Sequence, residues 1–164
     1  MEQVYIGLGS NVGDRERALE QALEALARRG LTPAARSSLY LTEPVDAPPQ
    51  EWFLNAAAGF QTAFSPEEVL RACLEVEKDM GRVRTVLRGP RSIDLDLLLH
   101  GQAVRRTPEL TLPHPRLHQR LFVLVPLSEI APAAVHPLLG ATVAELRARC
   151  PDRSRVLPLT AARR

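Results

Sequence analysis

The sequence predicts an α+β protein with a mostly antiparallel β-sheet. Strand-like and helix-like segments are mixed along the chain without the strict strand–helix alternation of a parallel sheet. One helical segment carries a complete set of start and stop signals, and several short apolar runs have the length of strands. The 164 residues are the length of one domain, so we expect a single domain over 1–164.

The first half of the chain predicts three strands and a helix. The strands are QVYIGLG, RSSLYLTEPV and WFLNAAAGFQT, and the prolines of DAPPQE place a loop between the last two. The helix RERALEQALEALARR follows the first strand. Asp14 or Asn11 caps its start, and Gly30 ends it.

The segment SPEEVLRACLEVEKDMG predicts the second helix. Ser65 caps it, Pro66 takes the first helical position, Glu68 completes a capping box and Gly81 ends it. We expect its apolar stripe to contain Val69, Leu70, Cys73, Leu74 and Met80, with Cys73 an inert, reduced core residue. Glu77 lies on this stripe, and the spacing favours a carboxylate at the edge of the stripe over one buried for a purpose.

The second half predicts a fourth strand, SIDLDLLLH, and a short outer strand in QAVRRTPELTLP. The segment HPRLHQRLFVLVPLSEIA begins like a helix with Pro115 near its first turn, and TVAELRARC is a last helix. This last helix is amphipathic and predicted to cover part of the sheet. The tail VLPLTAARR has no strong pattern.

Two aspartates interrupt the apolar fourth strand. Because side chains alternate along a strand, Asp94 and Asp96 share one face with Ser92. The other face takes Ile93, Leu95, Leu97 and Leu99. Neighbouring carboxylates repel, so partial burial requires a positive partner between them. The alternative is a half-exposed strand whose polar face meets water.

Four arginines, at positions 82, 84, 88 and 91, precede the aspartate pair in a segment bounded by Gly81 and Gly89–Pro90. A charge run alone is typical of a solvated loop. Guanidinium groups beside two carboxylates, however, suit a magnesium-bound polyphosphate, with hard oxygens for the cation and planar forks for the phosphates. We therefore expect Asp94 and Asp96 to share one or two Mg²⁺ ions.

Other motifs exclude some functions. The glycines of GLGSNVG are spaced one residue longer than a dinucleotide fingerprint, and no P-loop occurs. We interpret Gly9 and Gly13 as residues that permit a tight turn. His114 and His118 have a zinc-like spacing, but Pro115 disfavours a helix there. His114 remains a candidate donor to a phosphate oxygen.

A surface for a second substrate is predicted on the third strand. Phe53 and Asn55 share one face, and Phe122 follows Arg120. Such aromatic residues usually pack in a core. The Asn55 amide, with a donor and an acceptor, has the geometry that recognises a heterocycle edge.

Composition places few limits on partners. The net charge is +2, and neither a signal peptide nor a membrane-length apolar run is visible. We predict a cytoplasmic monomer without a nucleic-acid or membrane partner.

Several segments occur together in one order: YIGLGSN, FLNAAA, GRVR, GPRSIDLDLLLHG and TLPHPRLHQRLFVLVPL. From about Val4 to Pro132 the chain thereby resembles the 6-hydroxymethyl-7,8-dihydropterin pyrophosphokinase family of folate biosynthesis. The resemblance implies a ferredoxin-like fold. It also implies transfer of the β,γ-diphosphate of ATP to the pterin hydroxymethyl group, with release of AMP.

The resemblance further implies roles for individual residues. Asp94 and Asp96 would bind two Mg²⁺ ions and act in catalysis with Arg82 and Arg91, and Asp94 would also border the pterin. Arg82 and Arg84 would lie on a loop that closes over the nucleotide, and Arg91, His114 and Arg120 would contact phosphates. Leu97 and Thr111 would lie near the adenosine. The pterin site would contain Phe122 stacked against Phe53, the Asn55 amide, and the backbone around Thr42, Pro44 and Val45.

Three departures from the family pattern concern the same site. The segment RTVLRGPR is one residue short and lacks a tryptophan before Gly89, so we expect the closed site to be sealed differently. Phe53 replaces a tyrosine, and Leu74 replaces a glutamine expected near the adenine.

Two other functions remain open from the sequence. An RNA-binding module would suit the pI of 8.8, although the aromatic motif that stacks bases is missing. A Mg²⁺-dependent kinase that transfers only the γ-phosphate would release ADP. ATP binding that requires Mg²⁺ would distinguish an enzyme from an RNA-binding module. The nucleotide product, AMP or ADP, would distinguish a pyrophosphokinase from a kinase that transfers only the γ-phosphate.

Overall fold

The computed structural model of the protein describes residues 1–45, 47–81 and 92–159. Its strands are β1 (Glu2–Ser10), β2 (Ala35–Arg36), β3 (Tyr40–Thr42), β4 (Phe53–Thr62), β5 (Asp94–His100), β6 (Arg105–Arg106), β7 (Thr111–Leu112) and β8 (Val156–Pro158). Its α-helices are α1 (Arg15–Arg28), α2 (Pro66–Asp79), α3 (Leu121–Ile130) and α4 (Val143–Arg149).

The main sheet is antiparallel throughout the described residues. Its strand order is β5-β1-β4-β3-β8, β2 also pairs with β4, and β6 and β7 form a separate small sheet. This confirms the predicted α+β class. Since β1 pairs with β4 on one side and β5 on the other, the third and fourth predicted strands are held on either side of the first.

Helices cover both faces of the sheet. One core cluster joins Leu8, Leu54 and Leu95 to the inner faces of α1 and α2, and the other joins Ala57 and Leu98 to α3 and α4. The last helix therefore packs over the sheet as predicted. None of the helices in the described part of the chain is long and apolar enough to cross a membrane.

The predicted helix signals are largely confirmed. Asp14 accepts the Arg17 backbone N–H at 3.1 Å, and Ser65 and Glu68 form the capping box of α2. Asn11 is not a cap, because its side-chain amide donates to Gln50 Oε1 and to the Glu51 carbonyl.

The predicted stripe of α2 is wrong at one position. Leu74 is 50% exposed, whereas Val76 is fully buried and Glu77 is 4% exposed. The buried face follows positions 69, 72, 73, 76 and 77, the spacing of successive helical turns. Glu77 is therefore a buried carboxylate, contrary to the prediction of one at the stripe's edge.

The predicted second strand, RSSLYLTEPV, is interrupted. The Ser37 hydroxyl accepts the Ala57 N–H at 2.9 Å, and Ser38 donates its N–H and hydroxyl to Glu129. Because these side chains replace ladder hydrogen bonds, the strand divides into β2 and β3.

The predicted face of Leu99 is also wrong. Ile93, Leu95 and Leu97 face α1 and α2, but the register between β1 and β5 shifts beyond Leu97. This bulge moves Leu99 to the cluster that contains α3 and α4.

The C-terminal region differs from its prediction in two places. Residues Leu117–Gln119 form only a 3-10 turn, and α3 starts at Leu121 after an extended Arg120. The Leu121 N–H is accepted by Asp152, which lies far away in sequence. The tail forms β8 against β3, although it carries no local strand pattern.

Candidate active site

Two rows of side chains cross the sheet on the face that carries α3. In one row Asn55 of β4 lies beside Gly9 of β1, which lies beside Asp94 of β5; in the other, Ala57, Gly7 and Asp96 take the same places. Directly paired residues of antiparallel strands project to the same face. Because both β1 positions are glycine, the floor between the asparagine and the carboxylates is open backbone.

The prediction that Gly9 permits a tight turn is therefore wrong. Gly9 lies inside β1, and a Cβ built there would stand 2.5 Å from Asn55 Oδ1. Gly13, with φ of 69°, does take the turn before α1.

This open floor belongs to a pocket that we call the acceptor pocket. It collects nine of the predicted site residues: Thr42, Pro44, Val45, Phe53, Asn55, Asp94, Asp96, Arg120 and Phe122. Glu43 and Ala47, which the sequence did not single out, also line it. The structure thus brings the predicted acceptor residues and both carboxylates together, while their roles stay predictions.

The Asn55 amide is held in one orientation. Its Nδ2 donates to Thr42 Oγ1 at 2.7 Å, and both side chains are buried. The Oδ1 consequently lies toward Gly9. Thr42 therefore contributes its hydroxyl to the site, whereas the sequence predicted a role for its backbone.

A second pocket, here the donor pocket, lies along the outer edge of β5. It brings together the predicted residues Leu97, Thr111 and His114, and Asp96 lines this pocket as well as the acceptor pocket. Leu74, which replaces the glutamine expected near adenine, lines it too. The position of Leu74 in the pocket wall explains why its side chain is exposed on α2.

Glu77 supports β5 where the two pockets meet. Its Oε2 accepts the Leu95 N–H at 2.7 Å, and β5 is the edge of the sheet. Without such an acceptor, a buried N–H at a sheet edge costs about 1–3 kcal/mol.

Burial, together with the charges of Glu77 and Asp96, raises the pKa of the Cys73 thiol to about 12, so Cys73 is an inert core thiol as predicted.

His114 is held as a neutral ring. Its Nδ1 accepts the Arg116 N–H at 3.2 Å, which leaves the proton on Nε2. Burial is the main cause that lowers the pKa of His114 to about 4; the charges of Arg120 and Arg116 act in the same direction, and that of Asp94 opposes them. The group can therefore donate one hydrogen bond from Nε2 at neutral pH, as a phosphate contact requires.

The depressed pKa of His114 predicts acid sensitivity of the ligand-free protein. The unfolded chain binds the proton near pH 6.5 and the native protein only near pH 4, so native stability falls as pH drops through this window. Relative to His114→Gln, we expect the wild type to lose up to about 3 kcal/mol. Urea unfolding of both proteins across the window measures this; a pH-independent difference would contradict it.

Three predicted arginines, Arg82, Arg84 and Arg91, lie outside the described residues. The remaining predicted arginine, Arg120, lines the acceptor pocket with its guanidinium carbon 5.4 Å from the centre of the Phe122 ring.

The chemistry of Asp94 and Asp96 fits Mg²⁺. Both carboxylates are partly buried on one strand face and line the acceptor pocket. Hard carboxylate oxygens are the ligands that Mg²⁺ takes from proteins, usually one or two of them, with substrate phosphates and water completing the shell.

Comparisons with known proteins agree on one family. A model of 7,8-dihydro-6-hydroxymethylpterin-pyrophosphokinase matches residues 5–132. The chain is 45% identical over 150 residues to the 2-amino-4-hydroxy-6-hydroxymethyldihydropteridine pyrophosphokinase of Methylorubrum extorquens, covering 91% of this chain and 94% of that protein. The Bacillus subtilis protein of the same name is 45% identical over 127 residues, covering 77% and 76%.

Solved structures share the fold. The Plasmodium falciparum HPPK-DHPS wild type superposes with a TM-score of 0.69 at 14% identity, over 90% of this chain and 44% of that chain. This chain thus spans less than half of that longer protein. The likeness confirms the ferredoxin-like α+β fold.

Proposed function

The chain belongs to the 7,8-dihydro-6-hydroxymethylpterin-pyrophosphokinase family, and we propose that it transfers the β,γ-diphosphate of ATP to the hydroxymethyl group of 6-hydroxymethyl-7,8-dihydropterin. Pyrophosphoryl transfer to this pterin in folate synthesis follows from the family. The release of AMP, the metal and the residue roles are the finer parts of the proposal.

The observation that carries the proposal is the position of Asp96. It lines both pockets, so a molecule in each would meet at this carboxylate. A diphosphate transfer between two bound substrates needs this arrangement, because the attacking hydroxyl and the phosphorus must be held in line at close range.

The acceptor pocket suits a flat heterocycle. Phe53 and Phe122 supply apolar ring faces, and Asn55, oriented by Thr42, presents its amide to a ring edge. The chain around Pro44 and Val45 completes the wall. These residues would orient the hydroxymethyl group toward Asp94 and Asp96.

The donor pocket suits ATP. Leu97 and Thr111 would lie beside the adenosine, and the His114 Nε2–H would donate to a phosphate oxygen. Arg120 would neutralise phosphate charge, together with Arg82, Arg84 and Arg91 of the undescribed segment.

Asp94 and Asp96 would hold two Mg²⁺ ions. When bound, these ions would neutralise the phosphate oxygens and favour attack at the β-phosphorus. The residues of the chain would contribute by positioning, charge and exclusion of water. That the protein acts as a cytoplasmic monomer stays a prediction.

The proposal is tested by the nucleotide product. Purified protein is incubated with ATP, Mg²⁺ and 6-hydroxymethyl-7,8-dihydropterin, with each component omitted in turn. We expect AMP only in the complete mixture. ADP would indicate γ-phosphoryl transfer, and ATP that stays intact and binds without regard to Mg²⁺ would favour a non-enzymatic module.

A further inference from the structure

We propose that Arg155, in the C-terminal segment beyond the matched family region, is a positioning residue that holds the rim of the acceptor pocket. The rim consists of residues 43–45 and 47–52, which connect β3 to β4. Its members Glu43, Pro44, Val45 and Ala47 line the pocket. The inference rests on the proposed function, since it assigns the rim to the acceptor.

The Arg155 side chain contacts both ends of the rim. Its Nε lies 3.6 Å from Glu43 Oε2, at the end that leaves β3. Its guanidinium carbon lies 4.8 Å from the centre of the Trp52 ring, at the end that enters β4. A planar guanidinium can pair with a carboxylate and stack on an indole at the same time.

Backbone pairing fixes Arg155 at this position. Its N–H donates to Glu43 Oε1 at 2.7 Å, and the Glu43 N–H donates to the Arg155 carbonyl at 3.2 Å. The next residues, Thr42 and Val156, are paired in the β3–β8 ladder. The C-terminal strand therefore delivers this arginine in a defined register.

The end of the rim next to β4 has further contacts that do not involve Arg155. The Asn11 side chain donates to Gln50 and Glu51, and Arg15 donates to the Trp52 carbonyl at 2.7 Å. These contacts fix the end next to β4. Arg155 links that end to Glu43, so its loss should loosen the pocket-lining part of the rim.

The side chain of Arg155 is 68% exposed, so its removal should leave the core intact. We expect Arg155→Gln to raise the KM for the pterin about 3- to 30-fold, the factor that corresponds to the loss of an exposed ion pair and a cation–π contact together. The KM for ATP and kcat should hardly change. Arg155→Lys keeps the cation and should restore part of the pterin affinity.

A second readout does not depend on activity. Trp52 is the single tryptophan of the chain, so its fluorescence reports the rim. In the ligand-free protein, Arg155→Gln should increase acrylamide quenching of Trp52. Arg153→Gln, the same change of charge at an exposed position two residues away, should alter neither the quenching nor the pterin KM.

Unchanged Trp52 quenching in Arg155→Gln would overturn the proposal. An equal rise in the KM for ATP and for the pterin would overturn the assignment to the acceptor pocket. If the wild type makes no AMP, the proposed function is refuted instead. The comparison of Trp52 quenching between the wild type and Arg155→Gln would then still test whether Arg155 positions the rim.

Discussion

Asp96→Asn is expected to lower turnover by roughly a thousandfold or more, because a metal's charge stabilisation is worth several kcal/mol and each 1.36 kcal/mol is tenfold in rate. The substitution keeps the shape of the side chain and removes the charge at the point where the two pockets meet. Steady-state kcat under saturating ATP, Mg²⁺ and pterin measures the loss.

The matched control for this experiment is Asp79→Asn. Asp79 is an exposed carboxylate at the end of α2 that pairs with Arg29 and lines neither pocket. Its variant should turn over like the wild type. Circular dichroism should show the same fold in both variants, and near-normal turnover in Asp96→Asn would exclude the metal-binding role.

Gly9→Ala is expected to weaken pterin binding by roughly 5- to 150-fold, the factor that corresponds to an overpacking cost of about 1–3 kcal/mol. The new Cβ would stand 2.5 Å from Asn55 Oδ1. Because β1 is paired on both sides, we expect the Asn55 amide, rather than the backbone, to shift from its place beside Thr42. Isothermal titration with the pterin measures the effect.

A double-mutant cycle shows whether Gly9 acts through Asn55. Asn55→Ala alone should weaken pterin binding, because the amide that faces the ring is lost. In the Asn55→Ala background, adding Gly9→Ala should cost little. Fully additive losses would mean that the methyl group blocks the pterin itself, which would contradict an effect transmitted by Asn55.

Local signals in the sequence predicted much of this fold. Asp14, Ser65 and Glu68 form their caps because N-capping depends on residues only three positions apart. The alternation of polar and apolar residues around Asp94 and Asp96 likewise predicted correctly that both carboxylates lie on one face of the strand, because this too depends only on neighbouring residues. The nearness of Asn55 to these aspartates needed the resemblance, since local periodicity carries no strand order.

The features that escaped prediction depend on partners distant in sequence. Gly9 has its purpose because Asn55 lies opposite in another strand, and Glu77 is buried because the edge of β5 needs an acceptor. The strand at Val156 forms because β3 offers a free edge, although its own residues give no signal. The bulge near Leu98 likewise arises from pairing between strands.

The most direct test of the account follows the β-phosphorus of ATP. With ATP labelled at that atom, Mg²⁺ and 6-hydroxymethyl-7,8-dihydropterin, the account predicts that the label appears in the pterin product and that the AMP carries none. Label retained in ADP, with the pterin receiving only the γ-phosphate, would contradict diphosphate transfer at Asp94 and Asp96.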